Sequence, residues 1–238
     1  MIYITGDTHG DRDWGKIYLY HREHKLTKED YMIICGDFGA IWSGNGTDEV
    51  LLNRYAKLPF TILFVDGNHE NFDRLYEYPI EEWKGGYVHK IRDNVLHLMR
   101  GNVFTIENKT FFTMGGGTSI DKEWRLSYER EHNTYKNKKS IKIWWEQEIP
   151  TLEEIDYGRE NLKKYDNKVD YILTHTHSSI IMQDFLGFEK ERSVLNGFLD
   201  DIICEVDYKH WYCGHFHIDR ECKKYKTTFL YNTIEKVQ

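Results

Sequence analysis

The sequence has no CxxC cysteine pair and no Pro/Gly-rich linker between its segments. None of Cys35, Cys204, Cys213 and Cys222 is spaced to form a CxxC motif. Cys35 and Cys213 lie inside apolar runs, where cysteine usually acts as a small hydrophobe. We therefore expect no disulfide framework, as is usual for a protein from a reducing compartment. Because no linker divides the chain, we predict a single domain over residues 1–238.

Export and membrane signals are also lacking. No stretch approaches the roughly 18 uninterrupted apolar residues from which a membrane-spanning helix is predicted. Residues 1–7 read as a strand and have neither the basic region nor the long apolar region of a signal peptide. These absences predict a soluble, cytoplasmic protein with no membrane partner.

Positive charge is the third deficit. With 32 Lys and Arg against 39 Asp and Glu, the formal net charge is −7. A general electrostatic affinity for nucleic acid is therefore disfavoured, although two bound divalent ions would add four positive charges locally. The composition is 40% hydrophobic, 15% aromatic and 30% charged. Such a composition is typical of a globular chain with a substantial core.

Strands and helices alternate over residues 1–80. Apolar runs predict strands at 2–4, 31–35 and 60–65, and helices are expected at 11–24, at 48–57 and from about Asn71. For the second helix we expect Thr47 as the N-cap and Val50, Leu51 and Tyr55 on the buried face. This order predicts βαβ units and a largely parallel sheet.

The pattern changes after Gly85-Gly86. Short strands with tight turns are predicted at 88–91, 95–99, 103–106 and 110–114, as in an antiparallel meander. Further along, a capping box at Thr151–Glu154 opens a helix, and 169–173 reads as a buried strand. A helical stretch is expected at about 191–204, and strands near 218–222 and 226–233.

Residues 118–150 form a polar segment of irregular pattern that includes Arg125, Arg130, Trp144 and Trp145. The segment is either a solvated surface insertion anchored by its two tryptophans, or a lid that contacts the substrate. The second interpretation arises because the preceding strand is expected to end near a functional site. The sequence leaves both open.

Side chains that can bind metal follow five predicted strands. They are Asp7 and His9, Asp37, Asn68 with His69, His175 followed by His177, and His215 with His217. Ligands of open α/β sheets bind at the carboxyl ends of the strands, so these side chains are expected to meet. In an extended segment, a spacing of two residues would put Asp7 and His9 on one face, and likewise His215 and His217. The sequence thus predicts a metal centre.

The number and chemistry of these side chains indicate two metal ions. Seven candidate ligands are too many for one ion that also leaves room for a substrate. Carboxylate, imidazole and amide ligands without thiolate suit Mn²⁺ best, with Fe or Zn²⁺ as alternatives. Two ions about 3.5–4 Å apart can lower the pKa of a bridging water toward ~7, and the resulting hydroxide can attack phosphorus.

The ordered motifs Asp-x-His, Gly-Asp, Gly-Asn-His-Glu, His and Gly-His-x-His resemble those of the calcineurin-like metallophosphoesterase superfamily. The resemblance implies a four-layer α/β/β/α sandwich with two mixed sheets around a dinuclear site. It implies that one ion is held by Asp7, His9, Asp37 and His217, and the other by Asp37, Asn68, His175 and His215. It further implies that Asp37 bridges the ions and that His69 donates a proton to the leaving group. An acid is expected to orient His69, and the sequence leaves open whether this is Asp66 or Glu70. His177 is expected behind the ligands or facing the substrate.

The motifs depart from those of the protein Ser/Thr phosphatases in this superfamily. The two phosphate-clamping arginines of those enzymes are missing, because Phe38-Gly39-Ala40 follows Asp37 and Val65-Asp66 precedes Gly67. We therefore predict hydrolysis of phosphomonoesters or phosphodiesters in a small or nucleotide-like substrate. A DNA or RNA nuclease and a phosphoprotein phosphatase are alternatives, and a non-catalytic scaffold is the weakest. Phe38 and Trp42 either pack in the core or stack on a base. The sequence leaves the oligomeric state open.

Overall fold

The computed structural model describes residues 1–133, 141–188 and 193–237. Parts of the predicted insertion at 118–150 and of the predicted helix at 191–204 lie outside these ranges. The helices are α1 (Trp14–His24), α2 (Gly46–Ala56), α3 (Phe72–Leu75), α4 (Lys122–His132), α5 (Leu152–Lys164), α6 (Ser179–Ile181) and α7 (Val194–Glu205). Single helical turns occur at Glu146–Glu148, Met182–Leu186 and Lys223–Tyr225.

The strands of the first half are β1 (Ile2–Thr5), β2 (Tyr31–Cys35), β3 (Thr61–Val65), β4 (Ile80–Trp83), β5 (Gly86–Arg92), β6 (Val95–Leu98), β7 (Val103–Ile106) and β8 (Lys109–Met114). Those of the second half are β9 (Lys168–Thr174), β10 (Asp207–Cys213), β11 (Arg220–Cys222), β12 (Thr227–Phe229) and β13 (Ile234–Lys236).

These strands form two mixed sheets. The first has the order β13-β1-β2-β3-β6-β5-β4, in which β1, β2, β3 and β6 are parallel. The second has the order β11-β12-β10-β9-β8-β7, with β12, β10, β9 and β8 parallel. The βαβ order predicted for the N-terminal part of the chain is therefore confirmed.

Three apolar clusters separate the layers, because successive side chains of a strand face opposite sides of its sheet. Tyr3 of β1 packs outward with residues of α1 and α2. Its neighbour Ile4 packs inward, in one cluster with Phe111 of β8 from the other sheet. The next residue, Phe112, joins Phe198 of α7 on the outer face of that sheet. The result is the α/β/β/α sandwich that the resemblance implied.

The predicted four-stranded meander is wrong as a single unit. Its strands form two hairpins, β5–β6 in the first sheet and β7–β8 in the second. Strand β6 pairs in parallel with β3 rather than with β7. The inner-facing Leu96 and Leu98 instead share the inter-sheet cluster with Phe104 and Ile106. Crossing between the sheets buries the apolar residues of both hairpins against each other.

Helix ends were predicted with mixed success. The capping box at Thr151–Glu154 is present at the start of α5. Helix α2 is capped by Asn45 rather than Thr47: the Asn45 side chain accepts a hydrogen bond from the Thr47 backbone N–H at 2.8 Å. Val50 is 55% exposed, contrary to expectation, whereas Leu51 and Tyr55 are buried as predicted. Among the described residues, no helix is long and apolar enough to cross a membrane.

Candidate metal centre

The first group of candidate ligands is formed by Asp7 and His9 after β1 and by His217 after β10. Ligand atoms of these three side chains lie within 4.8 Å of one another. Nε2 of His217 is 3.0 Å and Nε2 of His9 is 3.8 Å from Asp7 Oδ2. Nε2 of His9 also lies 3.4 Å from Oδ2 of Asp37, which follows β2. Asp37 is therefore adjacent to this group.

The second group adjoins the first through Asp37. Nε2 of His175, which follows β9, is 3.3 Å from Asp37 Oδ1. The same nitrogen is 3.0 Å from Oδ1 of Asn68 and 3.1 Å from Nδ1 of His215. The structure thus brings all seven candidate ligands together, and Asp37 contacts members of both groups. Their roles as ligands stay predictions.

Hydrogen bonds show which atoms of the second group carry lone pairs toward its centre. The backbone carbonyl of Cys35 can only accept, so the 2.9 Å contact requires His175 Nδ1 to carry the proton. His175 Nε2 then presents a lone pair. Asn68 Nδ2 donates to Ser119 Oγ, which fixes Oδ1 toward His175. With the Asp37 carboxylate, three acceptor atoms face one another, an arrangement that a cation would stabilise.

Asp7 offers a second indication of a cation. Its Oδ2 is buried and has no hydrogen bond among the described residues, although imidazole nitrogens lie close to it. Burial raises the pKa of Asp37, but His175 and the other nearby imidazoles lower it further, so the net pKa lies well below the usual range. Burial and His175 lower the pKa of His215 to about 4. The ionised Asp37 carboxylate and the neutral His215 imidazole are suitable ligands for a divalent metal ion.

The ligand pairs reach these positions through turns rather than extended strands. His9, Asp37, His215 and His217 all have positive φ angles, between 42° and 69°. The assumption of extended segments is therefore wrong. His217 lies beside Asp7, whereas His215 lies beside His175, so these two residues belong to different groups. Left-handed conformations cost non-glycine residues roughly 1–3 kcal/mol each and cluster at functional sites.

Glycines before two of the ligands allow the loops to approach closely. A Cβ atom on Gly36 would lie 2.1 Å from His175 Nδ1, and one on Gly67 would lie 2.1 Å from Asp37 Oδ1. Gly36 also has a φ of 90°, which other residues rarely adopt. The Gly-Asp and Gly-Asn steps thus place each ligand side chain directly against the neighbouring loop.

His69 has a different neighbour from the two acids proposed in the sequence analysis. Glu70 accepts hydrogen bonds from the backbone N–H groups of Phe38 and Gly39. Asp66 pairs with Arg100 and His97. The His69 ring instead contacts Arg125 of α4, whose Nη2 lies 2.8 Å from His69 Nε2. Both alternatives for the partner acid, Asp66 and Glu70, therefore bind other groups instead of the His69 ring.

His177 and Phe38 lie away from the centre. His177 is fully buried, its Nε2 is 2.9 Å from Thr227 Oγ1, and burial lowers its pKa to about 3. Phe38 stacks on Phe64 in the outer core, with ring centroids 4.3 Å apart. His177 therefore packs behind the ligand loops, and Phe38 has a core role.

A cleft of about 830 Å³ adjoins the centre. Its floor and walls include His9, His69 and His217 at one end, and Trp42, Arg12 and Arg54 elsewhere. Trp42 is partly buried and packs edge-on against Trp145, with ring centroids 5.4 Å apart. The cleft gives a ligand access to the candidate metal centre and an aromatic surface beside it.

Sequence reasoning missed two buried residues of this region, Ser119 and Glu148, and did not predict the contact of Arg125 with His69. Ser119 Oγ donates to Glu148 Oε2 at 2.5 Å and accepts from Asn68. No local motif marks these contacts, because the paired residues lie 29, 51 and 56 positions apart along the chain. Whether the segment that carries them moves as a lid stays a prediction.

Comparison with known proteins gives one family match and one relative. The sequence matches the family model of calcineurin-like phosphoesterases over residues 1–219. It is also similar to the lariat debranching enzyme of Schizosaccharomyces pombe, at 24% identity over 240 residues. The match covers 90% of this chain and 47% of that enzyme, so the chain spans about half of the relative's length.

Two solved structures resemble the fold at low similarity. One is a Staphylococcus aureus protein assigned as a 5′-nucleotidase, with a TM-score of 0.48 and 16% identity, covering 97% of this chain and 48% of that one. The other is the phosphopantetheinyl hydrolase of Mycobacterium tuberculosis, with a TM-score of 0.44 and 14% identity, covering 97% and 87%. Both scores are too low to indicate a substrate. The family match, over 219 of 238 residues, shows that the chain belongs to the calcineurin-like phosphoesterases.

Proposed function

We propose that the chain is a dinuclear metal-dependent phosphoesterase acting on phosphomonoesters or phosphodiesters of a small or nucleotide-like substrate. The observation that supports it best is the convergence of candidate ligands in two adjoining groups, Asp7 with His9 and His217, and Asp7 with Asp37 and His175. The Asp37 carboxylate lies between them, 3.4 Å from His9 Nε2 and 3.3 Å from His175 Nε2. In this proposal Asp7, His9, Asp37 and His217 hold one ion, and Asp37, Asn68, His175 and His215 hold the other. Mn²⁺ is the preferred ion, with Fe or Zn²⁺ as alternatives.

The residues around the centre have distinct tasks in this proposal. When bound, two divalent ions supply an activated water and positive charge for the developing oxyanion. The backbone N–H of His69 donates to Asp37 Oδ1 at 2.7 Å, which fixes the carboxylate between the two groups. In this proposal the His69 imidazole, which lines the cleft, gives a proton to the leaving oxygen.

The cleft supports a small or nucleotide-like substrate. Its volume is about 830 Å³. Small-molecule sites typically hold about 300–1,000 Å³, so the cleft lies within that range. Trp42 offers a face on which a base could stack, and Arg12 and Arg54 offer positive charge. An RNA or DNA nuclease is the second candidate, and the similarity to a lariat debranching enzyme is the reason to test it.

Metal analysis and a paired substrate assay test the proposal. Protein stripped with a chelator and reconstituted with Mn²⁺ is expected to hold close to two ions per chain. Turnover of p-nitrophenyl phosphate against bis-p-nitrophenyl phosphate distinguishes a monoesterase from a diesterase. A Mn²⁺-supplemented screen of nucleotides, cyclic nucleotides, phosphoproteins and DNA then identifies the substrate class. Absence of bound metal after reconstitution would refute the dinuclear mechanism.

A further inference from the structure

Arg125 of α4 places a buried cation against the candidate active site. Arg125 is only 3% exposed to solvent. Nη2 lies 2.8 Å from Nε2 and 3.1 Å from Nδ1 of the His69 ring. The His69 ring in turn lines the cleft and lies near His9, with ring centroids 5.7 Å apart. Arg125 therefore lies in direct contact with a residue that lines the cleft beside the candidate metal centre.

The contacts of Arg125 leave part of its guanidinium unused. Nε donates to Asp121 at 2.9 Å, Nη1 donates to the Ile143 carbonyl at 3.3 Å, and Nη2 donates to His69. A guanidinium has five N–H donors, so these contacts with described residues engage three of them. Burying a cation against a neutral ring is costly unless an anion completes its pairing. The half-exposed Asp121 is a weak counter-ion because water screens it.

Helix α4 is held in place by contacts that do not involve Arg125. Glu129 accepts hydrogen bonds from the backbone N–H groups of Ile143 and Trp144. Trp145 is buried in the outer core and donates through its indole N–H to Asp73 at 2.8 Å. The helix is thus docked independently, so positioning α4 does not account for a buried guanidinium directed at His69.

We infer that Arg125 binds the phosphate group of the substrate, an inference that rests on the proposed function. Its free N–H donors suit two oxygens of one phosphate, in the bidentate geometry that arginine favours. Arg125 would then take over, from a distant segment, the task of the two arginines missing beside Asp37 and Gly67. The phosphate would lie between this guanidinium and the metal ions, with its leaving oxygen near His69.

Inorganic phosphate is the probe for this inference, because it carries the recognised group without requiring turnover. Calorimetric titration of the Mn²⁺-loaded protein gives its dissociation constant, and metal analysis is run on every sample. We expect Arg125→Gln to weaken phosphate binding about 10–100-fold, since two charge-assisted hydrogen bonds are lost. Arg125→Lys should recover part of the affinity through its charge. Arg130→Gln, on the exposed side of the same helix, is the matched control and should bind as wild type.

The outcomes separate this inference from the proposed function. Two ions per chain and wild-type phosphate affinity in Arg125→Gln would overturn the role of Arg125 and leave the phosphoesterase intact. Wild-type protein that holds no metal would overturn both. If the Gln variant does not fold, the Lys variant decides: at least about threefold weaker phosphate binding, from loss of the bidentate fork, supports the inference. Unchanged binding in that variant overturns it.

Discussion

Replacing Ser119 by alanine should weaken the binding of one metal ion and leave the binding of the other unchanged. Ser119 Oγ accepts from Asn68 Nδ2 at 3.1 Å and donates to Glu148 Oε2 at 2.5 Å. This chain of hydrogen bonds is buried throughout and orients Asn68 Oδ1 toward His175. In Ser119→Ala the amide loses its acceptor and can rotate, which would present an N–H group to the metal. Because Asn68 belongs to the second group only, the other ion should keep its affinity.

The size of both effects can be expected from the hydrogen bonds that the Ser119 hydroxyl makes. Loss of a hydrogen-bonding partner behind a metal ligand typically costs 10–100-fold in metal affinity, or about 1.4–2.7 kcal/mol. The stability of the metal-free chain should fall by about 1–3 kcal/mol, because Asn68 Nδ2 and Glu148 Oε2 are left buried without that partner.

A chelator competition titration with Mn²⁺ measures the two affinities, and urea unfolding measures the stability. Thr118→Val is the matched control, since Thr118 Oγ1 is buried and has no hydrogen-bond partner in the described chain. That variant should bind both ions as wild type. Two unchanged affinities in Ser119→Ala would refute the reasoning, and so would an equal loss at both sites.

Three further predictions concern single side chains. Asp37→Asn should abolish turnover and leave fewer than two ions per chain by metal analysis, because this carboxylate lies between both groups. His69→Ala should keep its metal and slow turnover about 10²–10⁴-fold, and full activity would contradict the proton-donor role. Burial and His97 lower the pKa of His89 to about 4, so the folded chain should lose stability as pH falls from about 6.5 to 4. His89→Gln should flatten that loss in urea unfolding, and an unchanged pH dependence would refute it.

Local sequence was sufficient for the strands that carry the candidate ligands. The apolar runs before Asp7, Asp37 and Asn68 are buried central strands, and such strands need no partner to be recognised. Their carboxyl ends had to meet once the strands were parallel. The positions of these three candidate ligands therefore followed from hydrophobic pattern and sheet topology.

The errors came from contacts between segments distant in sequence. The hairpins β5–β6 and β7–β8 look alike locally, and their assignment to different sheets depends on whether β6 finds β3. Asp66 and Glu70 both lie next to His69 in sequence, but neither binds its ring. Asp66 pairs with Arg100, and Glu70 accepts hydrogen bonds from the backbone N–H groups of Phe38 and Gly39. Arg125 reaches His69 from α4, and nothing in the spacing of either residue indicates this contact.

The candidate site can form only after segments from both ends of the chain have come together. The His215 backbone N–H donates to Asp7 Oδ1 at 2.8 Å, across 208 residues of sequence. The Gly214 backbone N–H donates to the His175 carbonyl, and His175 donates to the Cys35 carbonyl, so both sheets contribute to one set of loops. An emerging chain that ends before residue 214 holds most of the candidate ligands but lacks these two hydrogen bonds. Metal uptake by a growing chain should therefore be abrupt rather than gradual, with tight binding first detected when β10 has paired with β9.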